Sequence, residues 1–490
     1  MNIMKYVYTS IAGLILFAGL PLMNVKADSS IQGETMYRVL VDRFNNGDPT
    51  NDGKTNPADP YSRHGGDLKG IIDKLDLIES FGITTIVLSP IMKNAENGYL
   101  GYWTEDFAKL DPHFGTDKEW RQLINRAHSK NIKIILEMAP NYISKTNSIA
   151  SDPRKSTWFQ AERPDGEEKW KEQTFKLDLN NPEVRQMIKD SGLHWLVNGA
   201  DGLLIHDADE MPQDFLSEFS NHLKTKNNQF YILASAKQET KAKNTLGDVK
   251  ELDAILDSES RNVLDDRLGT LSGKLPEKAF SDKTILHVDG PDSERFAQIA
   301  GENGRNAATA WKLALVYMYA SPGVPMIYQG SELPMYGKTP EEVRQLVDFN
   351  SGDPELKEYF ERLGALRKQF PALSKGDFEI MGNEKGLQVL KRSDAKETLY
   401  IAINNDESSR AYSIKNEEEG QQLKGLLGDN LVRADKEGRY TITLPRETAE
   451  IYVVKEDQGI NWALIVFIVG VILLFVVSIV ILSRKQKKHA

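Results

Sequence analysis

Eight short β-branched and aliphatic runs recur along the chain with longer helix-like stretches between them. This alternation constrains the fold more than any other feature. The runs are Met36–Asp42, Thr84–Pro90, Lys133–Ala139, Gly202–His206, Phe230–Ala234, Leu252–Leu256, Lys283–His287 and Val324–Tyr328, and helical patterns such as Asp117–Lys130 and Asn306–Tyr319 separate them. Strands alternating with helices predict a parallel sheet with crossovers. Eight such units predict an α/β fold, the closed (β/α)8 TIM barrel.

The rhythm breaks twice. Residues 143–176 are polar, with Trp158, Phe159 and Trp170 and no strand–helix alternation, and they predict an inserted domain B on the upper face. The barrel then spans 33–142 and 177–370. Beyond Leu373 come short alternating runs: Phe378–Met381, Leu387–Leu390, Leu399–Ile403, Tyr440–Leu444 and Glu450–Val454. These predict a C-terminal all-β sandwich over 371–456.

Both ends read as segments outside this body. Lys5, the apolar run Ile11–Leu22 and Val25-Lys26-Ala27 predict a secretory signal over 1–27. Residues 460–482 are nearly all apolar, and Arg484, Lys485, Lys487 and Lys488 follow. This pattern predicts a membrane-spanning helix, a cytoplasmic tail at 483–490, and a cell-membrane protein whose bulk lies outside. The membrane is then one expected partner. With 61 Lys and Arg against 71 Asp and Glu, the net charge of −10 argues against a nucleic-acid partner. No cysteine is present, so an exported fold must rely on its core and on any metal it binds.

The run Gly199-Ala-Asp-Gly-Leu-Leu-Ile-His-Asp207 passes from small residues to an aliphatic strand and then to polar groups, as a barrel strand does on reaching a functional face. Several collinear stretches resemble the α-amylase family, glycoside hydrolase family thirteen. They are Val41-Asp-Arg-Phe-Asn-Asn-Gly-Asp-Pro49, His64-Gly-Gly-Asp-Leu-Lys-Gly-Ile71, Gly101-Tyr-Trp-Thr-Glu-Asp-Phe107 with Asp111-Pro-His-Phe-Gly-Thr116, and Pro322-Gly-Val-Pro-Met-Ile-Tyr-Gln-Gly330. Leu366-Arg367 with Pro371-Ala-Leu373 continues the series. The resemblance runs from about Tyr37 to Val454 and implies a barrel, a domain B, a C-terminal β domain and action on α-glucans.

Retaining hydrolysis needs two carboxyl groups about 5–5.5 Å apart, one as nucleophile and one protonated as acid. On the family pattern the nucleophile position is His206, with Leu204 at the position of the supporting arginine. The acid position is Ser235, whose hydroxyl cannot serve as a tuned acid near neutral pH. Asp292 stands at the third carboxylate, while Pro291, Tyr142 and Leu100 replace sugar-binding histidines. These departures predict a pseudo-hydrolase. A rearranged active site would draw on Asp207, Asp209, Glu210 or Glu239, although strand alternation turns Asp207 toward the helix layer.

Asn46-Gly-Asp-Pro-Thr-Asn-Asp52 is rich in hard oxygen donors, as Ca²⁺ requires. The resemblance implies Ca²⁺ ligands at Asn46, Asp48, Asn51, Asp52, the Gly65 carbonyl and Asp67. It implies a weaker second site at Asn141, Asp178 and Glu210. Tyr102, Tyr142 and Tyr328 are the candidate substrate contacts, with Trp103, Trp158 and Phe159 as further aromatic residues for the cleft. Three functions are compatible with these residues: a non-catalytic protein that binds α-glucan, another cell-surface glycan or a protein partner; a working α-glucan hydrolase or transglycosylase; and a structural surface protein.

Overall fold

The computed structural model describes residues 30–161, 169–236, 245–256, 258–271, 274–415, 419–457 and 462–486. The expected signal at 1–27 and Glu239 lie outside them.

All eight predicted strands form. They are β1 (Met36–Val39), β2 (Thr85–Leu88), β3 (Lys133–Met138), β4 (Gly202–Ile205), β5 (Tyr231–Ser235), β6 (Ala254–Leu256), β7 (Ile285–Leu286) and β8 (Val324–Tyr328). Each pairs in parallel with its neighbour from β1 through β6, β8 pairs with both β1 and β7, and the bridge Ile255–Thr284 joins β6 to β7. The sheet therefore closes into a barrel. At Gly202 the strands approach so closely that a Cβ would lie 2.6 Å from the Tyr231 carbonyl oxygen.

Alternation divides the side chains into two layers. Met36, Val87, Ile135, Leu204, Leu233, Ala254, Ile285, Val324 and Met326 fill the barrel interior. Val39, Ile86, Leu136, Leu203, Ile205 and Ile232 face outward into the helix layer. The position expected to hold an arginine in the family is thus an interior leucine, Leu204, fully buried.

Between Tyr142 and Lys176 the chain leaves the barrel and returns, joined at its base by an antiparallel pair, Tyr142–Ser144 with Thr174–Lys176. Short 3-10 turns at Ser148–Ser151, Pro153–Trp158 and Lys171–Gln173 shape the excursion.

The C-terminal domain has eight strands, three more than the sequence pattern indicates. They are β9 (Asp377–Glu384), β10 (Leu387–Ser393), β11 (Thr398–Asn404), β12 (Arg410–Lys415), β13 (Gln421–Gly425), β14 (Leu431–Arg433), β15 (Arg439–Leu444) and β16 (Thr448–Glu456). Six form one antiparallel sheet in the order β9-β10-β11-β16-β13-β14, and β12 pairs with β15. One face of the larger sheet packs Val389, Tyr400 and Ala402 against Ile414, Tyr440 and Ile442 of the pair. Its other face packs Ile401, Ile403, Ile451 and Val453 into the main core. The helix Ala307–Ala320 is buried on nearly every side, as a helix packed between the barrel and this sheet must be.

The expectation of a membrane-spanning segment at 460–482 is corrected. The chain forms a helix over Trp462–Gln486, on which side chains are described for 466–479. Among the described residues no helix is long and apolar enough to cross a membrane. The placement at a cell membrane, the membrane as partner and the cytoplasmic tail are not carried forward.

Candidate ligand site at the barrel mouth

The alternation that puts Leu204 inside also puts the next inward residue of each strand at the barrel mouth. Arg38, Glu137, His206, Ser235, His287 and Tyr328 are consequently the uppermost inward positions of six strands, and all six are buried. Glu137 is the hub. Its carboxylate accepts hydrogen bonds from Arg38 Nη2 at 2.8 Å, Tyr102 Oη at 2.9 Å and His206 Nδ1 at 2.9 Å. Burial raises its pKa, but Arg38 and the His206 bond outweigh burial and hold it down at about 2.

The strand-four ending departs from expectation. Asp207 adopts φ 50°, in the left-handed region, and this turn swings its side chain back over the barrel. Instead of entering the helix layer it lines the cavity. Its Oδ2 accepts from Lys171 Nζ at 2.6 Å and Tyr142 Oη at 3.1 Å, and its Oδ1 lies 3.4 Å from His206 Nε2. Burial pushes its pKa up, yet the neighbouring His206 and Lys171 keep it below the ordinary carboxylate range. Ser235, at the end of β5, accepts a hydrogen bond from the Asp207 backbone N–H at 3.3 Å. Asp292 faces the same cavity and is paired with Arg344. Enclosure raises its pKa, but Arg344 and Arg38 together lower it below normal. At the rim Glu341 accepts from Tyr61, which also lowers its pKa.

The aromatic expectations need correction. None of Tyr102, Tyr142 and Tyr328 lines the cavity. They pack into one buried cluster with Tyr99, Leu100 and Trp170, because domain B drives Trp170 into the cleft. Trp170 stacks on Tyr102 at 5.0 Å between centroids and meets Tyr142 edge-on at 5.3 Å. The Arg295 guanidinium lies 4.3 Å from the Tyr328 ring centroid. Trp158 and Phe159 pack with the main core, with Trp158 Nε1 donating to Glu183 at 2.8 Å. The aromatic residues that do line the cavity are Tyr61 and Tyr99.

What remains open is a cavity of about 460 Å³, within the range of small-ligand sites. It brings His206, Ser235 and Asp292 together, as the sequence predicts, and adds Arg38, Lys171, Arg261, His287 and Arg344. Arg38 and Glu137 carried a signal that went unused. Opposite charges in two otherwise apolar barrel strands have to meet inside. Lys171 and Arg344, on irregular segments, carried none.

The proposed calcium residues fall into two groups. Asn46 Nδ2 donates to both Asp52 oxygens at 2.9 Å, and the side-chain oxygens of Asn46 and Asn51 are buried without a hydrogen-bond partner. A Cβ on Gly65 would come within 2.6 Å of Asp52 Oδ1, so the Gly65 backbone closes the same cradle. Asp67 touches this cradle through Asn51 Nδ2, from which it accepts at 3.2 Å, but it also accepts from the backbone N–H groups of Gly47, Asp48 and Gly70 and caps the helix Leu68–Ser80. Asp48 accepts from Thr50. At the second position Glu210 already pairs with Lys176 Nζ at 3.0 Å, Asn141 donates to the Asp207 carbonyl at 2.9 Å, and Asp178 accepts from Asn180 at 3.0 Å. Among the described residues no group of three or more His, Cys, Asp and Glu side chains is gathered for a metal.

A (β/α)8 barrel with an insertion after β3, a cavity above the strand ends and a C-terminal β domain define a three-part barrel protein with an open cavity at its mouth. Residues 38–250 match the alpha amylase catalytic domain and residues 376–452 the alpha-amylase C-terminal domain. The chain is similar to an α-amylase from Anoxybacillus, with a TM-score of 0.81 and 33% identity over 88% of this chain and 100% of that one. An α-amylase from Geobacillus thermoleovorans in complex with acarbose gives a TM-score of 0.79 and 33% identity, with the same coverage. A beta/alpha-amylase of Paenibacillus polymyxa is 29% identical over 86% of this chain, which spans 38% of that protein's length. The chain belongs to the α-amylase family.

Proposed function

We propose that this family member binds a saccharide without hydrolysing it by the two-carboxyl route. One observation carries the reading. Each carboxyl group that lines the cavity among the described residues, Asp207, Asp292 and Glu341, has a pKa below normal, and the acid position is the Ser235 hydroxyl. Among the described residues that line the cavity, no carboxyl group stands ready to protonate a leaving oxygen. The nucleophile position is an imidazole bound to Glu137. The acarbose complex of a 33% identical relative supports a saccharide as the ligand class. The test is a long incubation of the purified full chain with maltoheptaose and calcium, followed for new reducing ends. None is expected, and turnover abolished by Asp292→Asn would overturn the reading.

A rearranged hydrolase is the second reading, and the inward turn of Asp207 favours it. It requires turnover that disappears in Asp207→Asn.

Calcium belongs to the same proposal. The residues that fit it are Asn46, Asn51, Asp52 and the Gly65 carbonyl, because two buried amide oxygens there lack partners. Bound calcium would supply structural cross-linking between the loop after β1 and the turn before the first helix.

A further inference from the structure

The cavity has the opposite electrostatic character to the chain that surrounds it. The chain carries a net charge of −10. Among the described residues, five guanidinium or ammonium groups line the cavity (Arg38, Lys169, Lys171, Arg261 and Arg344) against three carboxylates. Three of these cations have a hydrogen-bonded ion-pair partner: Arg38 with Glu137, Lys171 with Asp207 and Arg344 with Asp292. Lys169 sits over the Tyr61 ring, and Tyr61 in turn is bonded to Glu341.

Arg261 is different. Its nearest carboxylate, Asp265, is 3.7 Å from Nε, beyond hydrogen-bond distance. Its Nη2 donates to Asn262 at 2.8 Å, while Nε is buried with no hydrogen-bond partner. Burial raises the Asp265 pKa well above normal against the pull of Arg261, and among the described residues no carboxylate is hydrogen-bonded to Arg261. Arg261 acts across the cavity: together with burial it drives the His287 pKa down to about 3, so that wall carries a neutral imidazole. Ser235 and Ser258 add hydroxyl groups to the lining, and Tyr61 and Tyr99 add rings.

We propose that the cavity binds a saccharide bearing an oxyanion, a phosphate or a carboxylate, with Arg261 as the anchor for the charged group. This rests on the non-hydrolytic reading and specifies its ligand. A guanidinium presents a planar set of donors that matches an oxyanion, and in a partly buried site such charge-assisted bonds are stronger than neutral ones. The aromatic rings and hydroxyl groups suit the sugar body. A neutral glucan would offer the buried Arg261 Nε no charged acceptor.

The test is calorimetric titration of the full chain with glucose 6-phosphate, glucuronate, inorganic phosphate, glucose and maltose. The two charged sugars are expected to bind at least about tenfold tighter than glucose, and more weakly as salt rises. Comparing them identifies which oxyanion the site takes. Arg261→Gln is expected to weaken the tighter charged sugar by about tenfold or more. Ser258→Asp provides a second variant, because it places a carboxylate in the same wall at the first position of the helix Ser258–Leu268, where an acidic residue is compatible with folding. It is expected to abolish binding of the charged sugars. Maltose binding as tightly as either charged sugar, no binding by any charged sugar, or charged-sugar affinity unchanged in a folded variant would overturn the proposal. Inorganic phosphate matching glucose 6-phosphate would overturn its saccharide part. Release of reducing ends from maltoheptaose instead overturns the non-hydrolytic reading, so the two failures are distinct.

Discussion

Trp170 lies against Tyr102 with ring centroids 5.0 Å apart and planes inclined by 24°. Tyr102 stands at a family cleft position, yet the face it could offer to a sugar ring is covered by the chain's own domain B. Trp170→Ala should uncover that face, and maltose affinity should rise, measured by titration. The same substitution should cost about 3–5 kcal/mol of stability, because a fully buried indole is lost. A folded variant with no change in maltose affinity would mean that Tyr102 is not a sugar platform.

Glu137 is completely buried and bonded to Arg38, Tyr102 and His206. Glu137→Gln removes the only charge that compensates Arg38 in that pair. Urea denaturation should report a loss of about 3–5 kcal/mol, as for breaking a buried ion pair from one side. A loss under about 1 kcal/mol would show that the hub does not hold the barrel mouth together.

Two groups at the barrel mouth contribute to the acid limb of stability. Burial and Arg261 lower the His287 pKa from 6.5 to about 3, and Arg38 and His206 lower the Glu137 pKa against burial from 4.5 to about 2. Both folded-state values lie below the unfolded ones. Each contribution is therefore complete above the unfolded pKa and declines as pH falls toward the folded value. His287 acts first, from about pH 6.5 downward, with a limiting slope of about 1.36 kcal/mol per pH unit. His287→Gln should flatten the stability profile between pH 6.5 and 4.5 and leave the steeper fall below 4.5, where Glu137 titrates. An unchanged slope in the upper window would remove His287 from this role.

Calcium added to chelator-treated protein should raise the unfolding temperature. At a hundredfold excess over Kd the gain is about 2.7 kcal/mol. Asp52→Asn keeps the size of the side chain that Asn46 contacts but removes its charge, and should reduce the calcium-dependent shift. An equal shift in this variant would place the calcium elsewhere.

The barrel was legible because a two-residue period and aliphatic composition survive in every strand. The C-terminal domain was read in part: Leu431–Arg433 is three residues long with only Val432 half-buried, and Arg410–Lys415 buries little beyond Ile414, so neither shows a clear hydrophobic face. At the site, strand alternation correctly placed His206 and Ser235, since regular geometry extends to the strand ends. It failed one residue later, at Asp207, where a left-handed turn replaced the strand. It also gave no hint of Trp170 and Lys171, whose positions depend on how a segment without periodicity folds back. The membrane expectation rested on apolar length and the basic cluster that follows it.

The barrel is least well stitched between β6 and β7, where the bridge Ile255–Thr284 stands in for a ladder. Arg261 lies in the helix Ser258–Leu268 after β6 and His287 directly follows β7, so the cavity wall that holds the guanidinium hangs on this seam. Amide hydrogen exchange should be faster along Ala254–Leu256 and Ile285–Leu286 than along β3 and β4, and an oxyanion ligand spanning the gap should slow it. A bound ligand would then serve as the fastening between the first and last parts of the barrel's circumference.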